Sequence, residues 1–232
     1  PPSGAAMSLR DGLTYFKNTT TAQLMQTVGP AKVATLARAM SVRQSKLEEV
    51  PSLALGTSPV TLKEIATACA TLANEGSYLE PTLVLRVADR NGQVLESFAD
   101  KLPERALSQA NAQTLLDVMR GVIDRGTGLG IRSRYGIQAD VAGKTGTVHK
   151  VTANGYADDR YIGLFAGIAP ASNPRIAAVV VIDDPRGESY YGGLVAAPGF
   201  SAIVGGVLRT LHVPPDKTDG LIAGNLDGED AT

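Results

Sequence analysis

The chain has a single cysteine, Cys69, and two histidines, His149 and His212, among 232 residues. One thiol excludes an intrachain disulfide and leaves the redox compartment unread. With no Cys/His pairing at ligand spacing, no metal site is expected, and nothing calls for a cofactor. Charge of one sign is also lacking: 22 Lys and Arg against 23 Asp and Glu leave a formal net charge of −1, without a basic run. That balance excludes a global field favouring nucleic acid or an anionic membrane. No run of about 18 apolar residues marks a membrane span, and no charged-then-apolar start marks a signal peptide. The chain opens abruptly on Pro1-Pro2-Ser3-Gly4 and reads as a piece of something longer, any membrane anchor lying outside it. There is no internal repeat.

What is present is an ordinary globular balance, 44% hydrophobic and 19% charged, enough for a sizeable core in one large domain or a domain and a half. The first third reads as helical. Ser8 can cap a helix with Asp11 three residues on, and Gly29-Pro30 ends one helix and opens another. Val33, Leu36, Ala37 and Met40 recur at helical spacing. A loop with Pro51 and Gly56 follows, then Thr61-x-x-Glu64 starts a helix that Gly76 stops. On that helix Cys69 lies in the apolar stripe Leu62, Ile65, Ala66, Cys69, Leu72, which predicts a core thiol and not a catalytic one. Arg38, Arg43, Lys46, Glu48 and Glu49 read as a solvated face.

Residues 83–87 and 93–96 flank Asn91-Gly92, the preferred tight-turn pair, and predict a hairpin. A helix over 108–125, capped by Ser108 and closed by Gly126, turns Leu115, Leu116, Met119, Val122 and Ile123 inward. A glycine-rich loop, 126–140, leads to three expected strands at 141–148, 160–169 and 175–182. The short Pro170–Pro174 link favours antiparallel pairing of the last two. Residues 177–182 are apolar throughout, so both faces of that strand should be covered. A helix from about Pro198 to Leu211 closes the fold. The expected class is α+β, an antiparallel sheet flanked by helices with a helical subregion. Residues 1–212 read as one partial, N-terminally truncated domain and 213–232 as a solvated tail.

Chemistry concentrates in Ala142-Gly143-Lys144-Thr145-Gly146-Thr147. Lysine supplies a point charge, threonine short hydrogen bonds, and glycine room for a substrate to approach the backbone, a combination suited to capturing a carboxylate beside a reacting carbonyl. Four residues alone are equally explained as an exposed strand edge whose charge discourages aggregation. Gly126-Thr127-Gly128 reads either as a pocket-lining loop or as a helix stop. Tyr190-Tyr191-Gly192-Gly193 reads either as a cleft wall or as a plain strand-to-helix connection.

The flanking stretches resemble one family. Residues 8–13 through Asn18-Thr19, residues 50–61, and Arg125–Gly128 ahead of Lys144-Thr145-Gly146-Thr147 are similar to the transpeptidase domain of class A penicillin-binding proteins. After about residue 155, Phe165–Pro170 and Tyr191–Pro198 resemble class B, division-type members. The resemblance covers nearly all of 8–214. It implies a serine D,D-transpeptidase fold that cross-links peptidoglycan at the cell envelope, on the periplasmic face of the inner membrane. The implied partners are a stem peptide or a β-lactam, with cell-wall synthesis or division proteins. Lys144, Thr145, Gly146 and Thr147 would bind the substrate carboxylate, the Thr147 N–H would serve catalysis in an oxyanion hole, and Asn18 would hold the substrate amide.

Two departures stand beside it. The family nucleophile is the Ser of Ser-x-x-Lys, yet none of the eight lysines has serine three residues before it; the resemblance implies that this motif lies upstream of this chain. The family's Ser-x-Asn aligns with Phe16-Lys17-Asn18, so a phenyl ring replaces a proton-relaying hydroxyl. Thr14 and Lys17 share a helical spacing and read as a surface pair. Thr147 and Lys150 fall on opposite faces of a strand. Three functions therefore stay open: a transpeptidase fragment, an inactive stem-peptide or partner-binding module of the same fold, and a β-lactam hydrolase relative using Glu48, Glu49 or Glu64.

Overall fold

Local signals start most of the helices. In the computed structural model, which describes residues 6–98, 101–152 and 155–214, Ser8 caps α1 (Leu9–Thr14) by accepting the Asp11 N–H at 3.0 Å. α2 (Asn18–Val28) stops at Gly29 (φ +88°), and Pro30 opens α3 (Pro30–Met40). Pro51–Leu55 form a 3₁₀ turn where a loop is expected. Thr61 and Glu64 form a reciprocal capping box at the head of α4 (Leu62–Ala73), and the Gly76 N–H closes it on the Thr71 carbonyl at 2.8 Å. Chain contacts divide the protein into two compact units, Pro1–Leu116 and Asp117–Thr232, the division falling inside α5 (Gln109–Asp124).

In the first unit the helices bury less apolar matter than their stripes predict. Ala34, Val42 and Leu47 form a small core joined by Ala37, Leu53 and Val60, whereas Leu36 and Leu62 are exposed. The hidden side of α4 is largely polar: Glu64, Thr67 and Thr71 are buried beside Cys69 and Leu72. Glu64 accepts from Gln44 N, Ser45 N, Ser45 Oγ, Thr61 N and Thr61 Oγ1 at 2.5–3.0 Å. Those donors hold its carboxyl well below the usual range, the Ser45 hydroxyl foremost. Burial pushes the Cys69 thiol up to about 11, in keeping with a core residue. Arg43 lies over the Tyr78 ring and grips Glu104 with two nitrogens, while Arg38–Glu49 and Lys46–Glu48 are exposed pairs.

Two expectations here need correction. Thr14 and Lys17 do not form a surface pair: Thr14 is fully buried, and Lys17 lies beyond the helix end at the head of α2. The expected hairpin, β2 (Arg86–Ala88) with β3 (Val94–Ser97), is present, and a separate two-strand ladder joins β1 (Ser77–Tyr78) to β4 (Glu104–Arg105). That hairpin does not turn on Asn91-Gly92 as a two-residue pair. Its turn spans Asp89–Gly92, closed by Gly92 N to Asp89 O at 3.1 Å, and the Asp89 carboxylate accepts from Asn91 N and Gln93 N. Asn91 keeps a negative φ and Gly92 takes +85°, so the loop is three residues with a bulge, organised by an aspartate.

In the second unit, β5 (Ala142–Thr152), β6 (Gly155–Ala169) and β7 (Ile176–Asp183) make an antiparallel sheet in that order. The glycine-rich approach folds into the short α6 (Gly130–Ser133), and α7 (Gly192–Val195) and α8 (Ala197–Thr210) follow the sheet. Phe165, Val141 and Ala169 pack with Phe200, Val204 and Leu208 of α8 and with Ile123 and Ile131. Ala178, Val180 and Ile182 join that core, but Val181 is 41% exposed. Among the described residues β7 is thus an edge strand, half-buried over 176–180 and exposed at Val181 and Asp183, so its apolar run does not have both faces fully covered. The expected tail lies outside the described residues beyond 214.

Candidate active site

The Lys-Thr-Gly segment lies in β5, at one edge of the described sheet, with Lys144 opposite Ala166, Thr145 opposite Phe165, Gly146 opposite Leu164 and Thr147 opposite Gly163. Strand period places Thr145 and Thr147 on one face and Lys144 and Gly146 on the other. Two loops converge on the threonine face. From the turn after α5, the Thr127 hydroxyl meets the Thr145 hydroxyl at 2.9 Å. From the segment after β7, the Gly192 N–H donates to Thr147 Oγ1 at 3.0 Å.

The glycines of that second loop are sterically required. A Cβ on Gly192 would collide with the carbonyl oxygens of Gly146 and Leu164, and one on Gly193 would come within 2.9 Å of the Thr127 carbonyl and 3.3 Å of Thr145 Cγ2. Gly126-Thr127-Gly128 and Tyr190–Gly193 are therefore both packed on the Lys-Thr-Gly strand. Near its far end lies an aromatic series. Tyr161 and Tyr190 stack at 3.8 Å with 9° between their planes, flanked by His149 on Tyr161 and Tyr191 on Tyr190. Tyr161 and His149 escaped the reading of the sequence. Their signal was only cross-strand register, which no local motif carries.

Lys144 is half-buried, and its Nζ donates to the Thr145 carbonyl at 2.8 Å. Burial pushes its pKa down to about 8, so the ammonium form still dominates at neutral pH but is disfavoured relative to water. Lys150 does not belong to this group. It sits where the β5–β6 register shifts and pairs with Asp183 at 2.6 Å. In the first unit, Asn18 opens α2 and is exposed. Phe16 just ahead of it holds a left-handed backbone (φ +55°) and is 43% exposed. Glu64, weighed as a hydrolytic base, is saturated by five donors, and Glu48 and Glu49 are spent in surface ion pairs. No group of three or more metal-ligating side chains occurs among the described residues. None of their helices is long and apolar enough to cross a membrane.

The sequence matches the penicillin binding protein transpeptidase domain over residues 2–205. Among similar proteins, the probable peptidoglycan D,D-transpeptidase PbpC of Pseudomonas aeruginosa is 40% identical over 158 residues, covering 68% of this chain and 26% of that protein. The peptidoglycan D,D-transpeptidase FtsI of Escherichia coli is 44% identical over 118 residues, 49% of this chain and 19% of its own length. The chain thus spans about a quarter or less of these relatives. Penicillin binding protein 3 of Mycobacterium tuberculosis, solved with aztreonam, superposes with a TM-score of 0.77 at 25% identity, over 90% of this chain and 53% of that one. The mixed architecture of helices and antiparallel sheet is the architecture of those structures.

Proposed function

Because the chain belongs to the family of penicillin-binding protein transpeptidase domains, we propose that its β5 edge binds the carboxylate of a D-alanyl-D-alanine stem peptide, or the equivalent carboxylate of a β-lactam, for acyl transfer in peptidoglycan cross-linking. The observation that carries this reading is the convergence of Thr127, Gly192 and Gly193 on Lys144-Thr145-Gly146-Thr147 at a sheet edge. Lys144 supplies the charge, and the Thr145 and Thr147 hydroxyls supply hydrogen bonds. An extended peptide lies along the edge as an added strand, over Gly146. The Thr147 N–H polarises the scissile carbonyl, a role worth about 3 kcal/mol of barrier per donor.

In the serine chemistry of the family a hydroxyl oxygen attacks the carbonyl of the penultimate residue, the terminal D-alanine leaves with a proton, and the acyl group passes from the ester to an acceptor amine. The sequence contains no Ser-x-x-Lys, so the nucleophile is assigned to a segment outside these 232 residues. The setting that follows is the bacterial cell envelope, at the periplasmic face of the inner membrane, with cell-wall synthesis or division proteins as partners.

A fluorescent penicillin tests the reading. The 232-residue chain alone is expected to bind it reversibly. The same chain joined to a Ser-x-x-Lys segment is expected to become covalently labelled, with Lys144→Ala abolishing both. Absence of label in the joined form, together with binding indifferent to Lys144, overturns the proposal. Phe16, standing where the family has serine, favours a second reading: a stem-peptide or partner-binding module without turnover. It predicts saturable binding of a D-alanyl-D-alanine peptide, weakened by Lys144→Ala, with no acylation in either form.

A further inference from the structure

Just before β5 the second unit carries a charged cluster distinct from the Lys-Thr-Gly segment. Asp140 pairs with Arg120 of α5 at 2.7 Å and lies 3.9 Å from Arg132 of α6. Arg132 also reaches Asp124 through Nε at 3.0 Å and donates through Nη1 to the Ala139 carbonyl at 3.0 Å. The backbone of Asp140 takes part as well, its carbonyl accepting the Ala171 N–H at 2.8 Å. Two guanidinium groups and two carboxylates balance, and the side chains of Arg120, Arg132 and Asp140 are only 23%, 21% and 16% exposed. Arg120 Nε and Arg132 Nη2 are buried without a hydrogen-bond partner among the described residues, so the cluster has little satisfaction to spare. The surface pair Lys46–Glu48, by contrast, has side chains 85% and 58% exposed, where solvent screens the attraction.

Residue 140 is therefore the point where α5, α6, the turn after β6 and the start of β5 are tied together, four residues ahead of Lys144. Strand side chains alternate with a period of two, so a slip of one residue at the start of β5 would exchange the faces of Lys144 and Thr145. We propose that Asp140, held by Arg120 and Arg132, is a positioning residue that fixes the register and tension of the Lys-Thr-Gly strand. The functional half of this inference rests on the carboxylate-binding reading above. The structural half does not.

The test uses the full 232-residue chain in four forms: wild type, Asp140→Asn, Asp140→Glu, and Val204→Ala as a control that loosens the same unit through α8. Amide hydrogen exchange is read over residues 142–147 and over 176–182, alongside the dissociation constant for a D-alanyl-D-alanine peptide. At denaturant concentrations that equalise stability, Asp140→Asn is expected to exchange about tenfold faster than Val204→Ala over 142–147 and alike over 176–182. Its peptide affinity is expected to fall about tenfold, with Asp140→Glu recovering to within about threefold of wild type. Exchange over 142–147 no faster in Asp140→Asn than in Val204→Ala overturns the proposal. So does fast exchange with unchanged affinity in a protein whose wild type binds. If wild type itself fails to bind the peptide, the carboxylate reading falls, and the exchange comparison still decides whether Asp140 holds the strand.

Discussion

Glu64 in the first unit and Lys144 in the second are both charges drawn out of water, and their surroundings treat them in opposite ways. Around Glu64 stand five donors, and its carboxyl is held well below the ordinary range; its charged form is favoured by folding. Lys144 is desolvated, and its pKa falls to about 8; its charged form is disfavoured by folding. The first arrangement is what a structural polar residue looks like, since every lone pair is used and nothing is left for a ligand. The second keeps a cost in the folded state that a bound carboxylate would relieve, as functional sites commonly do. Sequence position alone separates them poorly, because both lie near threonines in motifs of four residues.

The largest test of that contrast removes the saturated charge. Glu64→Ala is expected to destabilise the first unit by about 3 kcal/mol in urea unfolding, since it deletes a capping box and leaves buried N–H groups unpaired. The linkage has a definite sign. A carboxyl whose pKa is lowered by folding contributes stability at all pH above its unfolded value near 4.5 and loses it as pH falls below that. Acid titration of wild type should therefore show a loss that Glu64→Ala lacks, and parallel acid curves for the two would break the comparison.

Next comes the packing that builds the second site. Gly192→Ala places a methyl against two carbonyl oxygens and displaces the N–H that Thr147 accepts, at an expected cost of about 2 kcal/mol in thermal unfolding. A variant as stable as wild type would mean that the loop does not rest on β5. Lys144→Met follows, and here stability and binding should part company. The midpoint of unfolding should stay level or rise, while affinity for a peptide carboxylate falls about tenfold, or about 1.4 kcal/mol. Wild-type affinity should also decline as pH rises through about 8, the range in which Lys144 gives up its proton, whereas fold stability from this group increases between about 8 and its unfolded value of 10.5. Flat affinity across that window would remove Lys144 from the site. The smallest effect concerns the hairpin. Asp89→Ala is expected to cost about 1 kcal/mol and Asn91→Ala less than about 0.5 kcal/mol, read by chemical denaturation, because the aspartate and not the asparagine organises the turn.

Much of the fold was legible for a physical reason that these residues share. Ser8, Thr61 with Glu64, Gly29-Pro30 and Ser108 act on backbone groups within a few positions of themselves, so the sequence window contains the whole interaction. The three strands of the second unit were equally visible, since apolar runs bounded by polar turns need no distant partner to be recognised. The hairpin turn was misread because two turn geometries share the same Asn-Gly dipeptide, and the choice between them fell to Asp89. The double-sided burial expected for β7 failed for another reason. An apolar run says what a strand would tolerate, and the number of layers around it decides what it receives.

By itself, then, the sequence determined the α+β class, the caps, the antiparallel strands and the strand that carries Lys144-Thr145-Gly146-Thr147. All of these rest on short-range hydrogen bonding and hydrophobic period. Only the tertiary structure decided that Thr127 meets Thr145, that Gly192 and Gly193 lie flush on β5, and that Tyr161 and His149 extend the Tyr190 stack. It alone showed that Glu64 also takes the Gln44 and Ser45 donors and that Arg120, Arg132 and Asp140 gather at the start of β5. These contacts join residues 8 to 48 positions apart, where close packing and cross-strand register set the geometry and no local propensity can report it.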